Sequence, residues 1–370
     1  MPQSDASVPA LEPEEALGTP EPLVQIARRL LHVLTGILVL LTVYTVYLSS
    51  PVLIPVTLAV LISTLLSPAV SFLEGLKIPR PLSAAVVIAM LVGILGGGAY
   101  SLSGPAQEWL QRLPQSGGKI DEMLRSIKKP FAQIEQATEH LSATTEPLSA
   151  NTPQRVQLTP PSLTERVAGG TAEIAAAITV ILILLFFLLS SGDTFLRKLV
   201  SVIPTFADKK RTVETIRSIE RDISFYLVML LLINTGLGLG VALITALLGI
   251  PDPLLWGTLT VILSFAPYVG ETAVAVTLLI ISMVTFDTLG KALIAPAAYI
   301  ILMSSVHLTV PVVVKQRLLL NPAAVFIAII FLGWIWGMPG ALLAVPLLAS
   351  CKIICERIEH LNAIAAFLTP

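Results

Sequence analysis

The amino-acid sequence predicts an all-α polytopic membrane protein, and three observations support this fold class. Hydrophobic residues make up 55% of the 370 residues and charged residues only 13%, against about 25% charged in an ordinary soluble domain. Most charges lie in three stretches, 1–29, 104–168 and 192–222. The rest falls into apolar runs close to the roughly 20 residues that a helix needs to cross a bilayer. This composition argues against a large soluble enzyme, and the net charge of −1 argues against a nucleic-acid partner.

The first part of the chain contains four predicted spans. Residues 1–29 are acidic and proline-rich, which predicts a disordered cytoplasmic tail rather than a signal peptide. Three transmembrane helices are expected within 30–103, and residues 104–168 form a polar and amphipathic insertion after the third span. The fourth span lies in 169–191, and a basic cytoplasmic segment follows in 192–222.

Residues 223–358 form the predicted transmembrane core, in which the apolar runs become shorter and more broken. The runs 253–270 and 272–286 are separated by a single glutamate. The last run, 323–354, is split near its middle, so that each half is short for a crossing. We expect a hairpin that leaves the membrane on the side it entered. The count is about eight apolar membrane segments plus this broken C-terminal hairpin, and then a cytoplasmic tail, 359–370.

The distribution of basic residues predicts the orientation. Short cytoplasmic loops carry an excess of Lys and Arg. This rule places both chain termini in the cytoplasm and the 104–168 insertion outside. The anchors are Arg28, Arg29, Lys77, Arg80, the 192–222 segment, Lys315, Arg317, Lys352 and Arg357.

The strongest local feature is the turn Pro267-Tyr268-Val269-Gly270-Glu271 between two short apolar runs. Irregular backbone at membrane depth persists only inside protein or beside a water-filled cavity. Glu271 would also be a costly intramembrane carboxylate unless it is protonated, paired or hydrated. Pro267, Tyr268, Gly270 and Glu271 are therefore candidates for a substrate or ion pathway. The alternative is a tight cytoplasmic turn among the lipid headgroups.

Other candidate residues have simpler explanations beside the functional one. Asn234 lies in the middle of the fifth span, where its amide either joins two helices or contacts a substrate. The break at Gly337, Pro339 and Gly340 is a second pathway candidate. Lys315, Arg317 and Asn321 form either an exit for an anionic substrate or an ordinary cytoplasmic anchor. His32 and His307 stand alone at span ends, which favours interfacial positions over a proton relay.

Motifs for catalysis, metal binding or nucleotide binding are absent from the sequence. Cys351 and Cys355 lie one helical turn apart in an apolar run without clustered histidines or carboxylates, so we interpret them as packing residues. We therefore expect no enzyme activity, no cofactor and no metal. Without a nucleotide-binding motif, movement of a solute would be passive or would use a gradient.

Four stretches resemble the autoinducer-2 exporter family of bacterial inner-membrane transporters, from about Leu30 to Ile354. They are Leu53–Pro68 with a proline near each end, the basic turn Lys77–Ala84, the stretch Leu247–Gly270, and Leu320-Asn321-Pro322 with the following Trp336–Pro346. The resemblance implies a multi-spanning inner-membrane protein, a homo-oligomer, and export of small molecules such as autoinducer-2. Some relatives resemble sodium/proton antiporters. Glu271 departs from the family pattern, in which proline is common at this position.

The leading hypothesis is a secondary or facilitative transporter that exports a small polar molecule, an autoinducer-2-like signal or a related metabolite. Residues 253–286 and 323–354 would line its pathway, with membrane lipid around it. A monovalent cation/proton antiporter is the first alternative, because of Glu271. The second is a non-transporting envelope scaffold whose 104–168 insertion binds a partner.

Overall fold

The computed structural model describes residues 21–116, 118, 163–192, 206–313, 320–358 and 361–369, and these residues form helices joined by short turns. No strand occurs within these ranges. Seven of the described helices are long and apolar enough to cross a membrane, and two more are apolar but shorter. The predicted all-α polytopic membrane fold is confirmed.

The described helices are numbered along the chain. They are α1 (Glu21–Leu48), α2 (Ser50–Gly75), α3 (Arg80–Gln115), α4 (Leu163–Ser191), α5 (Phe206–Leu247), α6 (Pro253–Leu263), α7 (Val269–Thr285), α8 (Leu289–Ala292), α9 (Ile294–Val313), α10 (Pro322–Arg357) and α11 (Asn362–Leu368). The chain divides into two compact units, Met1–Ser50 and Pro51–Pro370. Lys315 and Arg317, and most of the predicted 104–168 insertion, lie outside the described residues.

In the first unit, α1 satisfies the hydroxyls of its three threonines with its own backbone. The hydroxyls of Thr35, Thr42 and Thr45 each donate to the backbone carbonyl four residues earlier, at 2.7–2.8 Å. A helix in lipid has no water to bond these groups. The hydrogen bonds within α1 therefore suit an apolar surrounding.

In the second unit, α2, α3 and α4 share one apolar cluster. Val70 of α2, Ala84 of α3 and Leu185 of α4 are its buried members. Arg80, at the start of α3, donates from Nε to the carbonyl of Leu189 at 3.0 Å. This bond satisfies one of the carbonyls left unpaired at the end of α4.

Helix α3 continues beyond its predicted apolar span to Gln115. In the extension, Trp109 is 3% exposed and donates from Nε1 to the Asp252 carboxylate at 3.0 Å. Its ring meets Trp256 of α6 edge to face, with 5.0 Å between ring centroids. These contacts give the end of α3 a packed partner, so the helix persists where hydropathy alone predicts a polar segment.

Helix α5 is 42 residues long, about 63 Å, so it exceeds the thickness of a bilayer. Its second half packs against α6 where two glycines meet. A Cβ at Gly238 would lie 2.6 Å from the carbonyl oxygen of Gly257, and a Cβ at Gly257 would lie 2.7 Å from that of Gly238. The absence of side chains at both positions permits this close helix approach.

Helices α6 and α7, with the turn 264–268 between them, form the first hairpin. Trp256 near the start of α6 packs in one cluster with Val274 and Leu278 of α7, so the two helices run antiparallel. Their 11 and 17 residues correspond to about 16 Å and 25 Å, less than the roughly 30 Å of a hydrocarbon core. The first hairpin is therefore too short to carry its turn across a bilayer.

The two arms of α10, residues 322–336 and 338–357, form the second hairpin. Gly337 breaks the helix with φ 66° and ψ −147°, a conformation that glycine adopts readily. Val325 and Ile329 of the first arm pack against Ala344 and Val345 of the second. The predicted broken C-terminal hairpin is confirmed. Its base is held by α11, because the Leu368 carbonyl accepts a hydrogen bond from the Asn321 N–H at 3.0 Å.

The glycine contact between α5 and α6 gives a matched stability test. A methyl group in Gly238→Ala would fall on Val261 and on the Gly257 carbonyl, so we expect a loss of about 1–3 kcal/mol in the free energy of unfolding. At Gly236, two residues earlier in the same helix, an added methyl group would have nothing within 4 Å. Gly236→Ala should stabilise by about 0.5–1 kcal/mol. Equilibrium unfolding in mixed micelles measures both, and equal effects would contradict the described packing.

Candidate functional site

A cavity of about 230 Å³ lies in the second unit between α5, the turn of the first hairpin, α9 and the base of the second hairpin. Most of its wall is apolar, and its polar side chains come from α5, from the first hairpin at its turn, and from α9. The lining residues are Tyr226, Met229, Leu230, Ile233, Asn234, Leu237, Ser264, Pro267, Tyr268, Glu271, Met303, Val306, His307, Leu320, Pro322, Val325 and Val345.

The predicted turn, residues 267–271, forms the irregular backbone beside the cavity. Tyr268 has φ 64° and ψ −57°, a region that non-glycine residues rarely occupy. Gly270 follows at the point where α7 meets the end of α6, and a Cβ there would fall on the Leu263 carbonyl. The strained tyrosine and the close approach at Gly270 together complete the turn from α6 into α7. Pro267, Tyr268 and Glu271 line the cavity, and Gly270 is buried behind them.

Glu271, in the first turn of α7, pairs with His307 of α9. Its Oε1 lies 3.1 Å from His307 Nε2. The Glu271 side chain is 12% exposed, whereas that of His307 is 50% exposed. An imidazole can share a proton with this carboxylate or, when protonated, neutralise it. The pairing gives the predicted intramembrane carboxylate a partner.

Asn234 and Ser264 bring unpaired hydrogen-bonding capacity to the same cavity. They are 4% and 6% exposed, and within the described part of the chain neither Asn234 Nδ2 nor Ser264 Oγ has a hydrogen-bond partner. A buried polar group without a partner costs about 1–3 kcal/mol. Two such groups beside a cavity indicate a site where a ligand can supply the missing bonds.

The lengths of three helices explain why these polar groups meet. Asn234 precedes the end of α5 at Leu247 by roughly 20 Å of helix, and Glu271 precedes the end of α7 at Thr285 by about 21 Å. His307 follows the start of α9 at Ile294 by roughly 20 Å. These three helix ends belong to elements joined by short turns through α6 and α8. Because the three side chains lie at nearly equal distances from these helix ends, they lie at the same depth in the helix bundle.

The cavity omits part of the predicted pathway. Gly337, Pro339 and Gly340 lie at the turn of the second hairpin and do not line it. The base of that hairpin does, through Leu320, Pro322, Val325 and Val345. A role for the glycine-proline break in a pathway therefore stays a prediction.

Asn321 caps the second hairpin. Its side-chain oxygen accepts a hydrogen bond from the Ala323 N–H at 3.0 Å, which is a helix N-cap contact. Lys315 and Arg317 lie outside the described residues, so their role as an anchor or exit stays a prediction.

The expectation that His307 stands alone is wrong, because its Nε2 lies 3.1 Å from the Glu271 carboxylate. Its interfacial position stays a prediction. The two residues lie on different helices, and the sequence carries no direct signal of how α7 and α9 align. Their matching distances from Thr285 and Ile294, the two helix ends that α8 connects, are the one available indication. Among the described residues, no cluster of three or more His, Cys, Asp or Glu side chains is arranged to hold a metal ion.

Known proteins match this chain over most of its length. The family model of the AI-2E family transporters matches residues 37–360. TqsA of Escherichia coli (strain K12), named an AI-2 transport protein, is 25% identical over 333 residues, which cover 87% of this chain and 90% of TqsA.

Two further relatives cover similar shares. YhhT of Escherichia coli (strain K12) is 21% identical over 348 residues, covering 92% of this chain and 95% of YhhT. YrrI of Bacillus subtilis (strain 168) is 23% identical over 356 residues, covering 90% of this chain and 98% of YrrI. The names of YhhT and YrrI refer to transport and state no solute. The matched range contains every residue that lines the cavity.

Proposed function

The chain belongs to the family of AI-2E transporters, and on that premise we propose that it moves a small organic solute across the membrane through the cavity between the two hairpins. The observation that carries the proposal is the pair of unpartnered buried groups, Asn234 Nδ2 and Ser264 Oγ, beside Glu271. A cavity left only by imperfect helix packing would be lined by apolar groups or by polar groups that already have hydrogen-bond partners. This cavity offers hydrogen bonds to an occupant.

The two hairpins supply the means of alternating access. Helix ends and broken helices that meet inside a protein form binding sites in many secondary transporters, and one bundle rocks against another around the site. The first hairpin reaches the cavity with its turn, and the second hairpin reaches it with its base. A tilt of either hairpin would open the cavity towards one side and close it towards the other.

Orientation, location and assembly are also part of the proposal. The basic residues near the base of the second hairpin support a cytoplasmic position for it, and the cavity would then face the cytoplasm. The bacterial inner membrane, cytoplasmic termini and a homo-oligomeric assembly follow from the resemblance and the charge pattern. The absence of a nucleotide-binding motif from the sequence supports secondary or facilitative transport. The name of TqsA makes an autoinducer-2-like molecule one solute to test for export.

A bulky side chain in the cavity tests the transport route. Val306 of α9 lines the cavity, whereas Ile301 of the same helix is 69% exposed on its outside. We expect Val306→Trp to abolish most of the solute release, because the indole fills the route, and Ile301→Trp to retain it. Comparing metabolites in the medium of cells with and without the protein, autoinducer-2 included, measures the release. Equal release from both variants would refute a route through this cavity.

A cation/proton antiporter is the second candidate, and the contact between Glu271 and His307 favours it. A carboxylate can bind a proton and a cation in turn, and an imidazole beside it can relay the proton. For this candidate we expect Glu271→Gln to abolish sodium-dependent proton flux in everted vesicles. Glu108→Gln is the control, because Glu108 lies on α3 and is 63% exposed. Unchanged flux in Glu271→Gln would remove the antiporter.

A further inference from the structure

The charge on the cavity wall indicates what kind of solute it accepts. Among the lining residues of the described chain, Glu271 and His307 are the ones that carry a formal charge in some protonation state near neutrality, and no Lys or Arg joins them. With the imidazole neutral, the cavity holds one negative charge. A charge at membrane depth is strongly favoured to acquire an opposite charge, so the cavity selects a cationic occupant.

Glu271 has room for more hydrogen bonds than it makes. An ionised carboxylate offers about four acceptor positions, and one imidazole N–H occupies one of them. Ser264 Oγ adds an acceptor that lacks a partner. A protonated amine carries up to three N–H donors and matches this group of acceptors.

The remainder of the wall favours an organic cation over a bare metal ion. Met229, Leu230, Ile233 and Val345 give it an apolar surface, which cannot replace the oxygen shell that a small inorganic ion loses on binding. Two phenol rings, those of Tyr226 and Tyr268, also line the cavity. Aromatic faces attract ammonium groups, and methionine adapts to varied apolar bodies.

We propose that the cavity binds a small amphiphilic amine, with its ammonium group at Glu271 and its apolar body against the methionine and leucine wall of α5. The inference rests on the proposed transport function and names its solute class. It replaces the expected polar metabolite by a molecule with one charged end and one apolar end. His307 then acts as a competitor, because its protonated form neutralises the same carboxylate.

Binding of radiolabelled phenethylamine to the full-length protein in nanodiscs tests the assignment. We expect Glu271→Gln to weaken binding about tenfold or more, because the ammonium loses its charged partner. His307→Gln should bind at least as well as the parent chain, because the carboxylate loses a competing partner. Glu108→Gln is the matched control and should bind unchanged. Unlabelled phenethyl alcohol, which has the same body without the charge, should compete poorly.

Several outcomes would overturn the amine site. The first is equal binding to Glu271→Gln and to the parent chain, and the second is competition by phenethyl alcohol as strong as that by phenethylamine. The third is displacement of phenethylamine by sodium ions alone. The fourth is an equal loss of binding in the Glu271 and His307 variants while both elute unchanged from a sizing column.

If the amine fails to bind while Val306→Trp still abolishes solute release, the solute class is wrong and the transport route stands. If the amine binds through Glu271 while Val306→Trp releases solute normally, the amine site is supported and the route is refuted.

Discussion

The structure depends on one constraint, which is that the backbone between α6 and α7 is irregular and must still have its polar groups satisfied away from water. Hydrogen bonds within the turn satisfy many of these backbone groups. The N–H groups of Ser264 and Ala266 donate to carbonyls at the end of α6, and the Gly270 N–H donates to the Ala266 carbonyl at 2.7 Å. The lack of a side chain at Gly270 allows the two helices to approach closely enough for these bonds. Surrounding protein must then shield the turn from lipid.

This shielding explains the helices around the turn. Helix α5 approaches α6 through Gly238 and Gly257, α9 covers α7 with His307, and the base of the second hairpin lies on the remaining side. The same arrangement encloses a space at the level of Asn234 and Glu271. Polar side chains that would be costly against lipid therefore face one another across a cavity. The requirement to bury the turn and the presence of a site have a common physical origin.

The sequence predicted much of the fold because hydropathy, proline and glycine act locally. These local signals predicted the membrane spans, the broken C-terminal hairpin and the turn at Pro267–Glu271. The contact of His307 with Glu271 was not, because it depends on how α7 and α9 align.

Two other features also depend on tertiary packing that a hydropathy pattern does not contain. The extension of α3 needs Trp109 to meet Asp252 and Trp256. Lys352, expected as a cytoplasmic anchor, is 1% exposed, with its Nζ 3.6 Å from the Glu356 carboxylate. The mainly apolar character of the cavity likewise appears only when four separate segments come together.

Access of a water-soluble reagent to the cavity tests the central claim most directly. In a chain whose Cys351 and Cys355 are replaced by serine, Met303→Cys places a thiol on the cavity wall and Ser304→Cys places one on the exposed side of the same helix. A membrane-impermeant thiosulfonate applied from the cytoplasmic side should modify Met303→Cys and stop solute release, with release by Ser304→Cys unchanged. Complete modification of Met303→Cys with normal release, or its reaction from the opposite side alone, would contradict a cytoplasm-facing route between the two hairpins.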